Sequence, residues 1–126
     1  MKRANEKDSE FEAVFARLRA ILKKHQGKCS VQTDTPTAFS LLGGLHPKHK
    51  TPMTVAWVEI GKNYVSYHLM AVYGFPKLME GRDKLKARMQ GKSCFNFTKV
   101  DEELFAELEQ LTVAGFEAWK KTGFGP

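Results

Sequence analysis

The stretch MTVAWVEIGKNYVSYHLMAV, residues 53–72, decides the fold class. Its two halves, residues 53–60 and 64–72, are rich in β-branched and aromatic residues, and the glycine, lysine and asparagine at 61–63 between them supply turn chemistry. The stretch therefore predicts a β-hairpin in which successive side chains alternate between the two faces of each strand.

This alternation predicts one covered and one outer face. If Val65, Tyr67 and Leu69 point toward helices, their neighbours along the strand point away. We expect the outer face to be a ligand site or a subunit interface, because it joins aromatic area to hydrogen-bonding groups. The alternative is that the loop at 43–52 or the helix near Leu85 covers this face. Strand parity also places Val55 and Glu59 on the same face as Trp57, and Met70 on the same face as His68. The candidate binding residues are Trp57, Tyr64, Ser66, His68 and Asn96.

The segments on either side of the hairpin complete an α+β fold. Helical spacing of apolar residues predicts a first helix from Asp8 or Ser9 to Gly27, a short helix from Leu78 to Gly91, and a last helix that Asp101 caps. Shorter patterns predict further strands at 29–34, 37–42 and 93–98. The expected fold is an antiparallel sheet of about five strands with the N- and C-terminal helices packed on one face.

Length and composition are consistent with one domain. The chain has 126 residues, of which 42% are apolar, and this is enough for a single core. We expect the domain at 9–121 between flexible termini at 1–8 and 122–126. Two cysteines exclude a disulfide-dense scaffold, and no apolar run is long enough to span a bilayer. With no signal-peptide pattern in the first eight residues, the expected location is cytoplasmic, without a membrane partner.

The chain carries 20 Lys and Arg against 14 Asp and Glu, a net charge of +6. A run of these basic residues could form a patch for phosphate-bearing partners, since releasing counterions needs no sequence motif. A solvated helix face explains the run equally well, and no known nucleic-acid-binding motif is present. The anion-binding candidates are Arg82, Lys84, Lys86, Arg88 and Lys92.

Two blocks resemble a known family. Residues 62–70 (KNYVSYHLM) and 89–105 (MQGKSCFNFTKVDEELF) are similar to the signature stretches of the YdhG-like family, small bacterial domains of largely unknown function. The resemblance extends from about residue 11 to 119 and implies an α+β fold similar to that of frataxin. Some relatives are linked to iron handling, but the family supplies no established catalytic residues. The first helix is basic after its first turn, unlike the acidic ridge of frataxins.

Catalytic and metal chemistry have little support in the sequence. His46 and His49 could share a metal, but two ligands do not make a zinc site. Cys29 and Cys94 belong to no Cys-x-x-Cys pair, and the sequence positions no base beside them, so we expect structural thiols. No metal, cofactor or catalytic residue is predicted.

The sequence favours a non-enzymatic binding or adaptor protein that uses the outer sheet face. Its expected partner is a second copy of the chain, a small molecule or another protein. Weak nucleic-acid binding through residues 82–92 and iron handling are the alternatives.

Overall fold

A six-stranded sheet and four α-helices make up the residues that the computed structural model describes, 2–45, 48–49 and 51–122, with side chains from residue 9 onward. The helices are α1 (Lys2–Lys23), α2 (Met70–Gly74), α3 (Asp83–Lys86) and α4 (Glu102–Lys120). The strands are β1 (Ser30–Thr35), β2 (Ala38–Leu45), β3 (Pro52–Ile60), β4 (Val65–Leu69), β5 (Met89–Gln90) and β6 (Cys94–Phe97). Short 3-10 turns lie at Gln26–Lys28 and Pro76–Met79.

The strands form one antiparallel sheet in the order β1-β2-β3-β4-β6-β5. The predicted hairpin is its centre: β3 pairs with β4, and β4 then pairs with β6. The α+β class with an antiparallel sheet is therefore confirmed. The sheet has six strands rather than about five, because β5 is a two-residue strand inside the segment that was predicted to be helical.

The core lies between one face of the sheet and the helices α1 and α4. Both helices present their apolar stripe to the sheet, as the three- and four-residue spacing predicts. Completely buried side chains from both layers meet there. They include Val14, Leu18, Leu22, Val58, Val65, Tyr67, Phe95, Leu108 and Leu111.

Two local features fix how α4 sits on the rest of the core. The Asp101 carboxylate accepts a hydrogen bond from the Leu104 backbone N–H at 3.1 Å, so the predicted cap is confirmed. Gly115 lies against α2, where an added Cβ would come within 2.9 Å of the Ala71 Cβ. The absence of a side chain at 115 thus allows α2 and α4 to pack closely.

The termini of several predicted elements were wrong. Helix α1 already includes residues 2–8, so it does not begin at a cap formed by Asp8 or Ser9, and it ends at Lys23, before Gly27. Strand β4 stops at Leu69, and the chain turns into α2, which buries Ala71 and Val72. No described helix is long and apolar enough to cross a membrane.

Two connecting segments also differ from expectation. The predicted loop at 43–52 is strand at both of its ends, because β2 continues to Leu45, which pairs with Pro52 of β3. Its residues 46, 47 and 50 lie outside the described part, as do 123–126 of the predicted flexible terminus. The predicted helix at 78–91 is broken at Gly81, whose φ of +76° is left-handed and costs little only in glycine. What remains is the single turn α3, followed by β5.

Candidate functional site

The outer face of the sheet carries a row of side chains in register across four strands. Ser40 pairs with Trp57, Trp57 with His68, and His68 with Cys94. A second row runs parallel to it through Glu59, Ser66 and Asn96. Trp57, Ser66 and Asn96 are half-buried, and Glu59 is exposed. This face is therefore partly accessible to solvent in the described structure.

Trp57 and His68 form the aromatic centre of this face. Their rings stack with centroids 3.6 Å apart and planes 13° from parallel. His68 is only 8% exposed, and its ring nitrogens lie within hydrogen-bond distance of Ser93 Oγ (3.1 Å from Nε2) and of Cys94 Sγ (2.9 Å from Nδ1). Burial lowers the pKa of His68 to about 4, so the imidazole is neutral at pH 7.

Cys94 contacts His68, a pairing that the sequence did not predict. It arises because the two residues are partners across β4 and β6, although 26 positions separate them in the chain. Burial raises the pKa of the Cys94 thiol and lowers that of His68, so both groups are neutral near pH 7. A nucleophilic thiol needs the thiolate. At pH 7 the pair is therefore a thiol beside a neutral imidazole, and their contact helps to hold the ring in place.

A chain of side-chain hydrogen bonds fixes the second row. Ser66 Oγ donates to Asn96 Oδ1 at 3.0 Å, and Asn96 Nδ2 donates to Gln90 Oε1 at 2.6 Å. This chain joins β4, β6 and β5 across the face. Ser66 and Asn96 therefore lie on the same face, as strand parity predicts. They are hydrogen-bonded to each other and are only partly exposed to solvent.

A trough of about 390 Å³ lies beside Trp57 on the side away from His68, and it is lined by residues of β1, β2 and β3. Gln32, Ser40, Thr54 and Glu59 contribute polar groups to its lining. Ser40 Oγ and Thr54 Oγ1 both donate to Gln32 Oε1, at 3.3 Å and 2.7 Å. Of these four residues, the sequence pointed only to Glu59, since Gln32 belongs to an edge strand with no distinguishing pattern.

A register shift in β3 explains why Thr54 shares this face with Trp57. The pairing with β2 jumps from Ala56 to Thr54, which is a β-bulge. The expected exposure of Val55 beside Trp57 was therefore wrong: Val55 is 1% exposed and belongs to the core.

Tyr64 lies apart from these rows, immediately before β4. Its carbonyl accepts a hydrogen bond from the Gly61 N–H at 2.8 Å and closes the turn of the hairpin. Met70, which sequence parity placed beside His68, is the first residue of α2 and packs partly against the core. The outer-face rows therefore centre on Trp57 and His68 and do not extend toward α2.

The five basic candidates do not form a single patch. Arg82 lies 3.8 Å from a Glu107 oxygen, and Lys84 lies 3.4 Å from a Glu103 oxygen, so both face carboxylates of α4. Arg88 is exposed beyond the end of α3. Lys86 and Lys92 line a separate cavity next to α2. Because α3 is one turn long, the spacing that would have aligned these residues on a helix face is lost.

Metal-binding residues are not clustered in the described structure. No group of three or more His, Cys, Asp or Glu side chains is placed to hold an ion there. His49 belongs to the described turn after β2, whereas His46 lies outside the described residues. Cys29 precedes β1, and burial raises the pKa of its thiol.

Comparison with known proteins returned nothing similar. No family model matches the chain, and neither a curated protein nor a solved structure matches it. Membership of the YdhG-like family therefore stays a prediction from the two sequence blocks.

Proposed function

We propose that this chain is a non-enzymatic binding protein whose outer sheet face recognises a planar group that carries hydrogen-bond donors, such as an amidinium or guanidinium. The observation that carries the proposal is the position of Trp57, with His68 stacked on one side and an open trough on the other. Membership of the YdhG-like family and a cytoplasmic location are part of the proposal and rest on the sequence.

Stacking provides the first part of recognition. His68 occupies one side of the Trp57 ring, and Ser40, the register partner on the other side, is small enough to leave space above it. A planar group that enters the trough can therefore lie along the indole. Such a contact adds roughly 0.5–1.5 kcal/mol beyond the area it buries.

The polar lining selects the chemistry of the planar group. The Ser40 and Thr54 hydroxyls donate their hydrogens to Gln32, so their free lone pairs can accept bonds. Glu59 adds an exposed carboxylate, and among the described residues no lysine or arginine lines the trough. A cationic donor is attracted both by this carboxylate and by the indole face. A phosphate group is repelled, so this face does not suit nucleic acid.

Rigidity makes the site effective without further folding. Ser93 and Cys94 hold the His68 ring, and His68 in turn holds Trp57 by stacking. A side chain that is already ordered loses little conformational entropy when a ligand binds.

Nuclear magnetic resonance of the indole N–H groups tests this proposal, using benzamidine as the planar cation and benzoate as its anionic counterpart. The chain has two tryptophans, and Trp119 is buried in the core. Benzamidine should shift the Trp57 signal saturably, with a dissociation constant of about 1 mM, as expected for a fragment of this size. The Trp119 signal should stay in place, and benzoate should shift neither.

The matched control is Glu59→Gln, which keeps the shape of an exposed side chain and removes its charge. We expect benzamidine to bind this variant about threefold more weakly, the usual worth of an exposed ion pair. Equal shifts by benzamidine and benzoate, or a response only at Trp119, would refute the proposal. Light scattering on the same samples measures the molecular mass and shows whether the chain self-associates, because a dimer has twice the 14.3 kDa mass of the chain.

A further inference from the structure

A second cavity, of about 680 Å³, lies at the opposite end of β4 from the hairpin turn. It is bounded by α2, the 3-10 turn after it, α3 and the turn between β5 and β6. Apolar side chains form most of its wall, and two lysines and one glutamate contribute charge. Its lining residues are Val72, Tyr73, Pro76, Met79, Glu80, Lys86, Met89, Gly91 and Lys92.

The size and lining of this cavity are those of a small-molecule site. Cavities that hold organic ligands measure about 300–1,000 Å³ and combine apolar walls with a few polar groups. Tyr73 is 58% exposed, an unusual state for a large aromatic residue in this chain, where most are buried. Its ring stands at the cavity with the Lys92 Nζ 5.7 Å from the ring centroid.

The charge at this cavity is positive and lacks a carboxylate partner. Some basic side chains of the described structure form ion pairs, among them Arg82 and Lys84, which face α4, and Arg19, which forms a bidentate contact with Asp34. Within the described residues no carboxylate oxygen lies within ion-pair distance of the lysines at 86 and 92. Glu80 is the single acidic group in the lining, so the cavity carries a net charge of +1.

From this combination we infer that the cavity binds a small organic anion with an apolar body, such as a carboxylate or a phosphate ester on an aliphatic or aromatic group. The apolar body packs between Val72, Met79 and Met89, and Tyr73 covers it. The anionic head lies between Lys86 and Lys92. This site is separate from the trough beside Trp57 and has the opposite charge preference.

Displacement of 8-anilinonaphthalene-1-sulfonate, a fluorescent apolar anion, tests the inference on the intact chain. Decanoate and decyl phosphate should both displace the dye, and decyltrimethylammonium of matched length should not. Inorganic phosphate should also fail, because it cannot use the apolar wall. Binding should weaken as salt is raised, since the lysines are partly exposed and salt screens them.

Three variants assign the binding to this cavity. Lys86→Gln and Lys92→Gln should each weaken decanoate binding about threefold, and the double variant about tenfold, as expected for partly exposed charges. Tyr73→Ala should weaken decanoate binding about fivefold. Because the Tyr73 side chain is exposed, we expect this variant to remain folded. Lys23→Gln, an exposed lysine at the end of α1, is the control for net charge and should leave binding unchanged.

Several results would overturn the inference. One is equal displacement by the cationic and anionic surfactants, and another is loss of binding in Lys23→Gln equal to that in the cavity variants. Competition by inorganic phosphate as strong as that by decanoate would show that the lysines act as a surface patch without the apolar cavity. Benzamidine binding at Trp57 should persist in Tyr73→Ala, so failure at one site does not decide the other.

Discussion

The two faces of the sheet are built from the same strands and differ in almost every physical property. On the inner face Val65, Tyr67 and Phe95 are fully buried. The Tyr67 hydroxyl forms a hydrogen bond of 2.6 Å with Thr112 Oγ1. On the outer face the half-buried Trp57 stacks on the largely buried His68, whose ring nitrogens contact Ser93 and Cys94. Stability should therefore depend mainly on the inner face, which leaves the outer face available for binding.

The largest effect is expected from a truncation in the inner layer. Leu108 is 0% exposed, so Leu108→Ala loses buried apolar surface and leaves a cavity, at a cost of about 2–5 kcal/mol. Val113 lies on the outer side of the same helix and is 45% exposed, so Val113→Ala should change stability by less than about 0.5 kcal/mol. Denaturant unfolding measures both. Equal costs would mean that α4 does not pack against the sheet through Leu108.

A smaller effect is expected where α4 meets α2. An added Cβ at 115 meets the Ala71 Cβ at 2.9 Å, closer than two such atoms can approach. Gly115→Ala should therefore cost about 1–3 kcal/mol through overpacking, despite the better helix propensity of alanine. Adding Ala71→Gly should recover part of this loss in the double variant. A stabilised Gly115→Ala protein would show that α2 yields easily.

Acid should weaken the fold through His68. Burial holds its folded pKa near 4, below the unfolded value of about 6.5, so the unfolded chain takes up the proton first. The contribution is complete above pH 6.5 and is lost as the pH falls toward 4. After allowance for screening we expect a loss of about 1–2 kcal/mol between pH 7 and pH 4.5.

His68→Gln should flatten this pH profile, as followed by unfolding at a series of pH values. His25 also has a pKa lowered by burial and stacks on Phe116, so it contributes a background that both proteins share. An unchanged slope in His68→Gln would mean that His68 is not desolvated in the folded state.

The parts of this fold that sequence could predict are those governed by local periodicity. The pleat of a strand predicts that Val65, Tyr67 and Leu69 share one face, and the structure buries all three in the core. Ser66 on the other face is half-buried, whereas His68 is largely buried beside Trp57. The same holds for the stripe of α4 and its cap at Asp101, because the residues that decide them are neighbours in the chain.

What sequence missed depends on partners that are distant in the chain. Cys94 meets His68 only because β4 and β6 pair, and alternation within one strand does not specify its neighbour. The residues around Met70 have the composition of a strand, but in the structure Met70 begins helix α2. Ala71 of this helix packs closely against Gly115, which is distant in the chain. The bulge beside Val55 reverses parity within β3, which no periodic pattern anticipates.

The most direct test of the binding face compares Trp57→Leu with the wild type, measuring unfolding stability with and without benzamidine. Leucine keeps an apolar strand residue and removes the indole on which the ligand stacks. We predict that stability without ligand falls by about 1 kcal/mol or less, and that stabilisation by benzamidine disappears. Unchanged stabilisation by benzamidine, or a loss as large as that of Leu108→Ala, would contradict the division between a structural inner face and a binding outer face.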